Sequence, residues 1–185
     1  FLMKVLVAVV DYPKPDGTVS LMFVHVRNKY YIQNGIDVTV LNFNCDSDYE
    51  FDGISVISLM HYKNNPEFYD ILICHAANIR NHYRFLKKYH NNFPRFVFFF
   101  HGHEILKIPK VYPAPFPYMS RWSGLRNFIQ NRYDTFKLFQ WRKFFLRYKE
   151  KCHLVFVSNW LYNKFLDYTK IPKDKIADRT NIIHN

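Results

Sequence analysis

The chain is poor in cysteine, in phosphate-loop glycines, in acid and in long apolar runs. Its three cysteines, Cys45, Cys74 and Cys152, are odd in number and widely spaced, which supports neither a disulfide framework nor a CxxC metal knuckle and fits a reducing compartment. No run reaches the roughly 18 apolar residues of a membrane span. The apolar opening FLMKVLVAVV lacks the basic leader and small-residue cleavage site of a secretory signal, and Met3 reads as a natural start preceded by two added residues, Phe1 and Leu2. Neither GxGxxG nor GxxxxGK[ST] occurs, so the dinucleotide and P-loop signatures are missing. Low-complexity tracts are absent too, and 49% hydrophobic with 19% aromatic residues excludes a disordered chain. A length of 185 residues predicts one domain able to bury a sizeable core.

Acid is scarce in one place above all. Fifteen acids face 26 bases, for a formal charge of +11. Between Ile105 and Lys151, eleven bases face only Asp134 and Glu150.

What is present is an alternation of apolar runs and helical patterns. KVLVAVV (4–10) reads as a strand buried on both faces, followed by a turn-rich loop and a helix over 20–34 with Ser20 as N-cap and Asn34-Gly35 as its stop. Further strands are predicted at 37–43, 53–59, 69–76, 95–100, 153–158 and 181–185, with helices near 78–90 and after Ser158. This predicts an α/β fold, a Rossmann-like parallel sheet with helices on both faces. Ligands of such sheets bind beyond the carboxyl ends of the strands.

The segment 105–151 interrupts the pattern. Pro109, Pro113, Pro115 and Pro117 predict an extended excursion, and a helical pattern from Ser120 onward puts Leu125, Phe128, Ile129, Tyr133, Phe136 and Phe139 on one side. Past Trp141, aromatics and bases surround the whole circumference, so the pattern does not by itself call for one unbroken helix there. The segment has three readings: an anionic-membrane seat through Trp122, Arg126, Trp141, Arg142, Lys143 and Arg147; a single-strand nucleic-acid surface; or a solvated helix pair.

Two motifs carry chemistry. In FVFFFHGHE, five apolar residues end against His101, Gly102, His103 and Glu104. These residue types suit a metal, but no further ligand recurs at a metal-like spacing, and a strand-end turn with backbone-bonded histidines is the plainer alternative. His75 ends the fourth predicted strand in the same way, so that His101 and His75 are expected at one crevice. The loop DYPKPDGT (11–18) stands where α/β folds cradle phosphate, with Gly17 in place; a plain connection is the other reading.

Taken together, MKVLVAVVDYPKPDGT, FFFHGHE, LVFVSNWLYNKFL and KIADRTNIIHN resemble the amino-terminal half of the retaining GT-B glycosyltransferases of family 4, over almost the whole chain. Val157, Ser158 and Asn159, and Ile182, Ile183, His184 and Asn185, match that family's pattern in order and spacing. The resemblance implies one Rossmann-like acceptor-binding domain over 1–185, partnered by a nucleotide-sugar-binding half outside this sequence. It implies His101 as the catalytic histidine near the acceptor hydroxyl, with His75, Asn78, His103 and Glu104 on the acceptor side and Gly17 and Thr18 facing the donor phosphates. The family's double glycine in the first loop is not present, and no two of Glu50, Glu67, Glu104 and Glu150 have the eight-residue separation of its donor glutamates. The implied activity is hexosyl transfer to a glycan or lipid-linked acceptor, with no metal and no cofactor beyond the nucleotide sugar, in the cytoplasm or peripherally on the inner face of its membrane. The fragment alone is expected to be silent. The competing class is a non-enzymatic basic α/β module docking on an anionic membrane or nucleic acid.

Overall fold

The computed structural model describes residues 2–112 and 123–184, which divide into two compact units, Phe1–Phe99 and Phe100–Asn185. Trp122, Pro113, Pro115 and Pro117 lie outside the described residues.

The first unit holds β1 (Met3–Val9), α1 (Met22–Gln33), β2 (Ile36–Asn42), β3 (Tyr49–Phe51), β4 (Ile54–Ser58), α2 (Leu59–Asn64), β5 (Ile71–His75), α3 (Arg84–Tyr89) and β6 (Arg95–Phe100), the last reaching its boundary. The strand order is β3-β4-β2-β1-β5-β6. β1 pairs in parallel with β2 on one side and β5 on the other, β2 with β4, and β5 with β6. Val5 to Val9 are all buried, as an interior parallel strand requires. The mainly parallel sheet, flanked by helices, makes the protein a Rossmann-like α/β fold.

Strand order reverses at β1, where the chain leaves the β2 side and crosses to β5. The loop after β1 and the residues after β5 therefore leave the sheet at one carboxyl edge, the ligand-binding position of such folds. Ala76 stands there at φ 47°, a left-handed backbone that a residue with a Cβ rarely adopts, and its N–H donates to the Phe99 carbonyl.

Three local features depart from expectation. β3 is an added antiparallel strand on β4, joined through Asp52 (φ 48°) and Gly53 (φ 75°), the paired left-handed residues of a tight hairpin turn. The expected Ser20 cap does not form: α1 starts after Leu21, itself left-handed at φ 51°, with no side-chain cap. The helix expected at 78–90 is α3 preceded by a π-helical turn, Ile79–Tyr83, which the Asn78 side chain caps by accepting from the Asn81 N–H.

The second unit contains α4 (Ile108–Val111), α5 (Ser123–Arg147), β7 (Cys152–Phe156), α6 (Asn159–Thr169) and β8 (Thr180–Ile182), with β7 and β8 parallel. Pro109 sits in the first turn of α4, where its missing N–H costs nothing. α5 is one helix of 25 residues and runs unbroken past Trp141, where the sequence pattern left its continuity open. Its inner side supplies Trp141, Phe144 and Phe145 to a buried cluster in which Phe100 stacks on Phe156 (4.9 Å) and Trp141 on Phe145 (5.5 Å). Ser158 caps α6 by accepting from the Leu161 N–H, as the sequence predicts.

Candidate functional site

His101 is the first residue beyond the carboxyl end of β6. Gly102 follows at φ 152°, inside the range that favours glycine, so the chain turns at once. Glu104 folds back beneath this turn: the His101 and Gly102 N–H groups both donate to its carboxylate, the latter at 2.9 Å. The carboxylate is buried, and burial pushes its pKa up while the amides of the turn pull it down. Glu104 is thus a staple for the loop, which corrects its expected place among the acceptor-binding residues.

A second support comes from α5. Lys137 Nζ, almost fully buried, donates to the carbonyls of His103 (2.9 Å) and Leu106 (3.1 Å) and to Asp134 Oδ1 (2.9 Å). Asp134 in turn accepts from the Ile108 N–H (2.9 Å) and from Gln130 Nε2 (3.0 Å). A buried ion pair this completely bonded fixes geometry more than it adds stability. Here it holds residues 103–108 from the helix side. His101 stays half-buried, and the His103 ring is exposed with its centroid 5.2 Å from that of Tyr112. The opening of a polar loop at the end of FVFFF is therefore resolved into one exposed imidazole, one half-buried imidazole and one buried staple.

The remaining expected residues fall as follows. His75 is 1% exposed, its ring stacked on Phe99 at 4.6 Å, so it is interior packing and presents no face to an acceptor. Asn78 is engaged in the π-turn cap described above. Gly17 and Thr18 are exposed, but the Gly17 N–H already donates to Lys14 O (3.2 Å) and the Thr18 N–H to Asp16 Oδ1 (2.8 Å). Both amides are spoken for, and the acceptor for one is a carboxylate that repels phosphate.

Sequence reasoning missed a hydrogen-bonded chain that anchors this first loop. Asp52 Oδ2 lies 3.1 Å from His25 Nε2, His25 Nδ1 lies 2.7 Å from the Tyr12 hydroxyl, and Asn28 Nδ2 donates to that hydroxyl at 3.2 Å. The carboxylate accepts from Nε2–H, so Nδ1 is left to accept from Tyr12. Burial raises the Tyr12 pKa to about 12, and the ring is fully buried, so this chain is structural. Its members sit up to forty positions apart on a loop, a helix and a hairpin, and no local spacing signals it.

The basic aromatic segment sorts into two sides. Trp141 is fully buried and Arg142 donates to the carbonyls of Thr169 and Lys170 at the end of α6, which corrects both as membrane-contacting residues. Arg126, Lys143 and Arg147 remain exposed. Beside them on the outer side of α5, Leu125, Phe128, Ile129, Tyr133, Phe136 and Phe139 are 46% to 59% exposed. Arg132 lies over Phe128 (5.3 Å) and Lys143 over Phe139 (5.5 Å), and the one acid of α5, Asp134, is on the opposite side.

Among the described residues no helix is long and apolar enough to cross a membrane, and no group of three or more His, Cys, Asp or Glu side chains is placed to hold a metal ion. No family model and no curated protein matches the chain. Among solved structures it is similar to a protein described as a candidate short-chain alcohol dehydrogenase from Burkholderia multivorans, at 10% identity and a TM-score of 0.47, over 99% of this chain and 96% of that one. A likeness of that degree assigns neither activity nor cofactor to this chain.

Proposed function

We propose that the chain is the acceptor-binding half of a glycosyltransferase that moves a sugar from a nucleotide-sugar donor to a hydroxyl of a glycan or lipid-linked acceptor. The observation that carries this reading is the loop at the end of β6, where Glu104 and Lys137 hold the backbone and leave the His101 imidazole half-buried at a strand's carboxyl end. Sugar transfer needs the acceptor hydroxyl aligned with the anomeric carbon and the departing phosphate stabilised, so positioning and electrostatics supply much of the rate. A fixed imidazole hydrogen-bonds that hydroxyl and keeps it in line. Exposed His103 extends the same polar loop. Donor binding falls to a second half, as the sequence resemblance implies.

The test is His101→Ala in the full-length enzyme. Loss of a positioned acid-base or hydrogen-bonding group costs about 10²–10⁴-fold in turnover, with melting temperature unchanged. Full transfer by the variant refutes the assignment.

The outer side of α5 supports a second reading, a basic module seated on an anionic membrane. Six exposed large apolar groups flanked by bases and no exposed acid match an interfacial helix face. Sedimentation with anionic vesicles tests it: Phe128→Ser with Phe136→Ser abolishes binding, and Arg132→Gln with Lys143→Gln removes its dependence on anionic lipid. Equal binding of neutral and anionic vesicles refutes it.

A further inference from the structure

A cleft of about 390 Å³ in the first unit has a lining unlike the rest of its surface. Lys63 of α2 and Arg80, Arg84 and Lys88 of the π-turn and α3 converge on it, over the buried rings of Phe85 and Tyr89, and its lining contains no carboxylate. Arg80, Arg84 and Lys88 recur every four residues, and like charges so spaced repel along a helix. Lys63 adds a fourth positive charge from the neighbouring helix. None of the ion pairs among the described residues involves these four, although Lys88 also lies over the Tyr89 ring at 5.2 Å. The segment opens in a π-helical turn, an uncommon backbone that concentrates at functional sites. Two guanidinium forks and two ammonium groups lining one cleft offer a multivalent anion several charged donors, and phosphate oxygens match the fork geometry.

We infer that this cleft binds a ligand bearing clustered phosphate groups, its volume leaving room for a diphosphate with a small organic portion. The site does not depend on the sugar-transfer reading and uses none of the residues assigned to it. The same chemistry is offered by a free diphosphate and by a multiply phosphorylated lipid headgroup.

Calorimetric titration of residues 1–185 with pyrophosphate at low ionic strength, alongside sedimentation with phosphatidylcholine vesicles with and without a phosphatidylinositol bisphosphate, separates the sources. Saturable one-to-one binding of pyrophosphate, weakened at least tenfold in Arg80→Gln with Arg84→Gln, supports a free ligand. Binding only to bisphosphate vesicles, lost in the same variant, supports the headgroup. The variant must melt like the parent, as expected for exposed side chains. Failure of both probes to bind, or equal binding by the variant, overturns the proposal. So does loss of pyrophosphate binding in Arg132→Gln with Lys143→Gln, which moves the site to α5.

Discussion

His82 gives the sharpest physical forecast. The ring is fully buried, its Nε2–H donates to the Ala8 carbonyl at 2.9 Å, and its Nδ1 accepts from the Asn78 N–H at 3.2 Å. Both nitrogens are used by a neutral imidazole, and a second proton would face an N–H donor in a dry interior. Burial accordingly lowers its pKa from an ordinary 6.5 to about 4. Between those values the unfolded chain takes up a proton that the folded chain refuses, so the contribution is complete above 6.5 and is lost as pH falls toward 4. At about 1.4 kcal/mol per pH unit the loss amounts to roughly 3 kcal/mol, a large part of a typical 5–15 kcal/mol. Carboxylates held low by hydrogen bonds, Asp16 from Thr18 and Asp52 from Lys29, act below the ordinary carboxylate range, whereas Glu104, pushed up by burial, takes up its proton in the folded state within the window and opposes the loss, so His82 is read from the difference in slope between parent and variant. Urea unfolding at pH steps from 7.5 to about 4 measures the slope. His82→Gln, which keeps the amide donor to Ala8 and does not titrate, flattens it. An equal slope in the variant refutes the reasoning.

Three further outcomes follow from the buried polar groups and thiols. Lys137→Met leaves Asp134 charged and uncompensated and costs about 3–5 kcal/mol, read by chemical denaturation, whereas adding Asp134→Leu recovers much of the loss. Glu104→Gln presents one acceptor oxygen to two backbone amides and lowers stability by about 1–3 kcal/mol, with the His101 and Gly102 amide resonances shifting in NMR. Of the three thiols, Cys74 and Cys152 are buried, and burial pushes Cys152 well up, so a disulfide reagent labels Cys45 first in the native protein. Equal labelling of all three contradicts the packing.

β1 and β6 were legible as nearly unbroken apolar runs, which is what burial on both faces demands, whereas β2 (IDVTVLN) and β4 (ISVIS) showed as short segments rich in β-branched residues. β3 was not, although Asp52-Gly53 is the dipeptide that a two-residue hairpin favours, because three residues of Tyr-Glu-Phe carry no alternation long enough to register. α5 was legible in part for a different reason. A helix apolar on one side shows a clear stripe, but this one is apolar on two opposite sides, inner Leu138, Trp141 and Phe145 and outer Phe128, Phe136 and Phe139, so its pattern does not by itself call for one unbroken helix. The position of His101 at a strand end was visible from the apolar run before it. The duties of Glu104, Lys137 and His75 were not, since each depends on a partner that only the folded chain brings near.

α5 is a girder with two unlike sides. Its inward ammonium grips the peptide carbonyls of His103 and Leu106, and its opposite flank lies bare. One rod thus serves two masters, since the helix that carries the bare flank is the same one whose ammonium braces the peptide beside the half-buried imidazole.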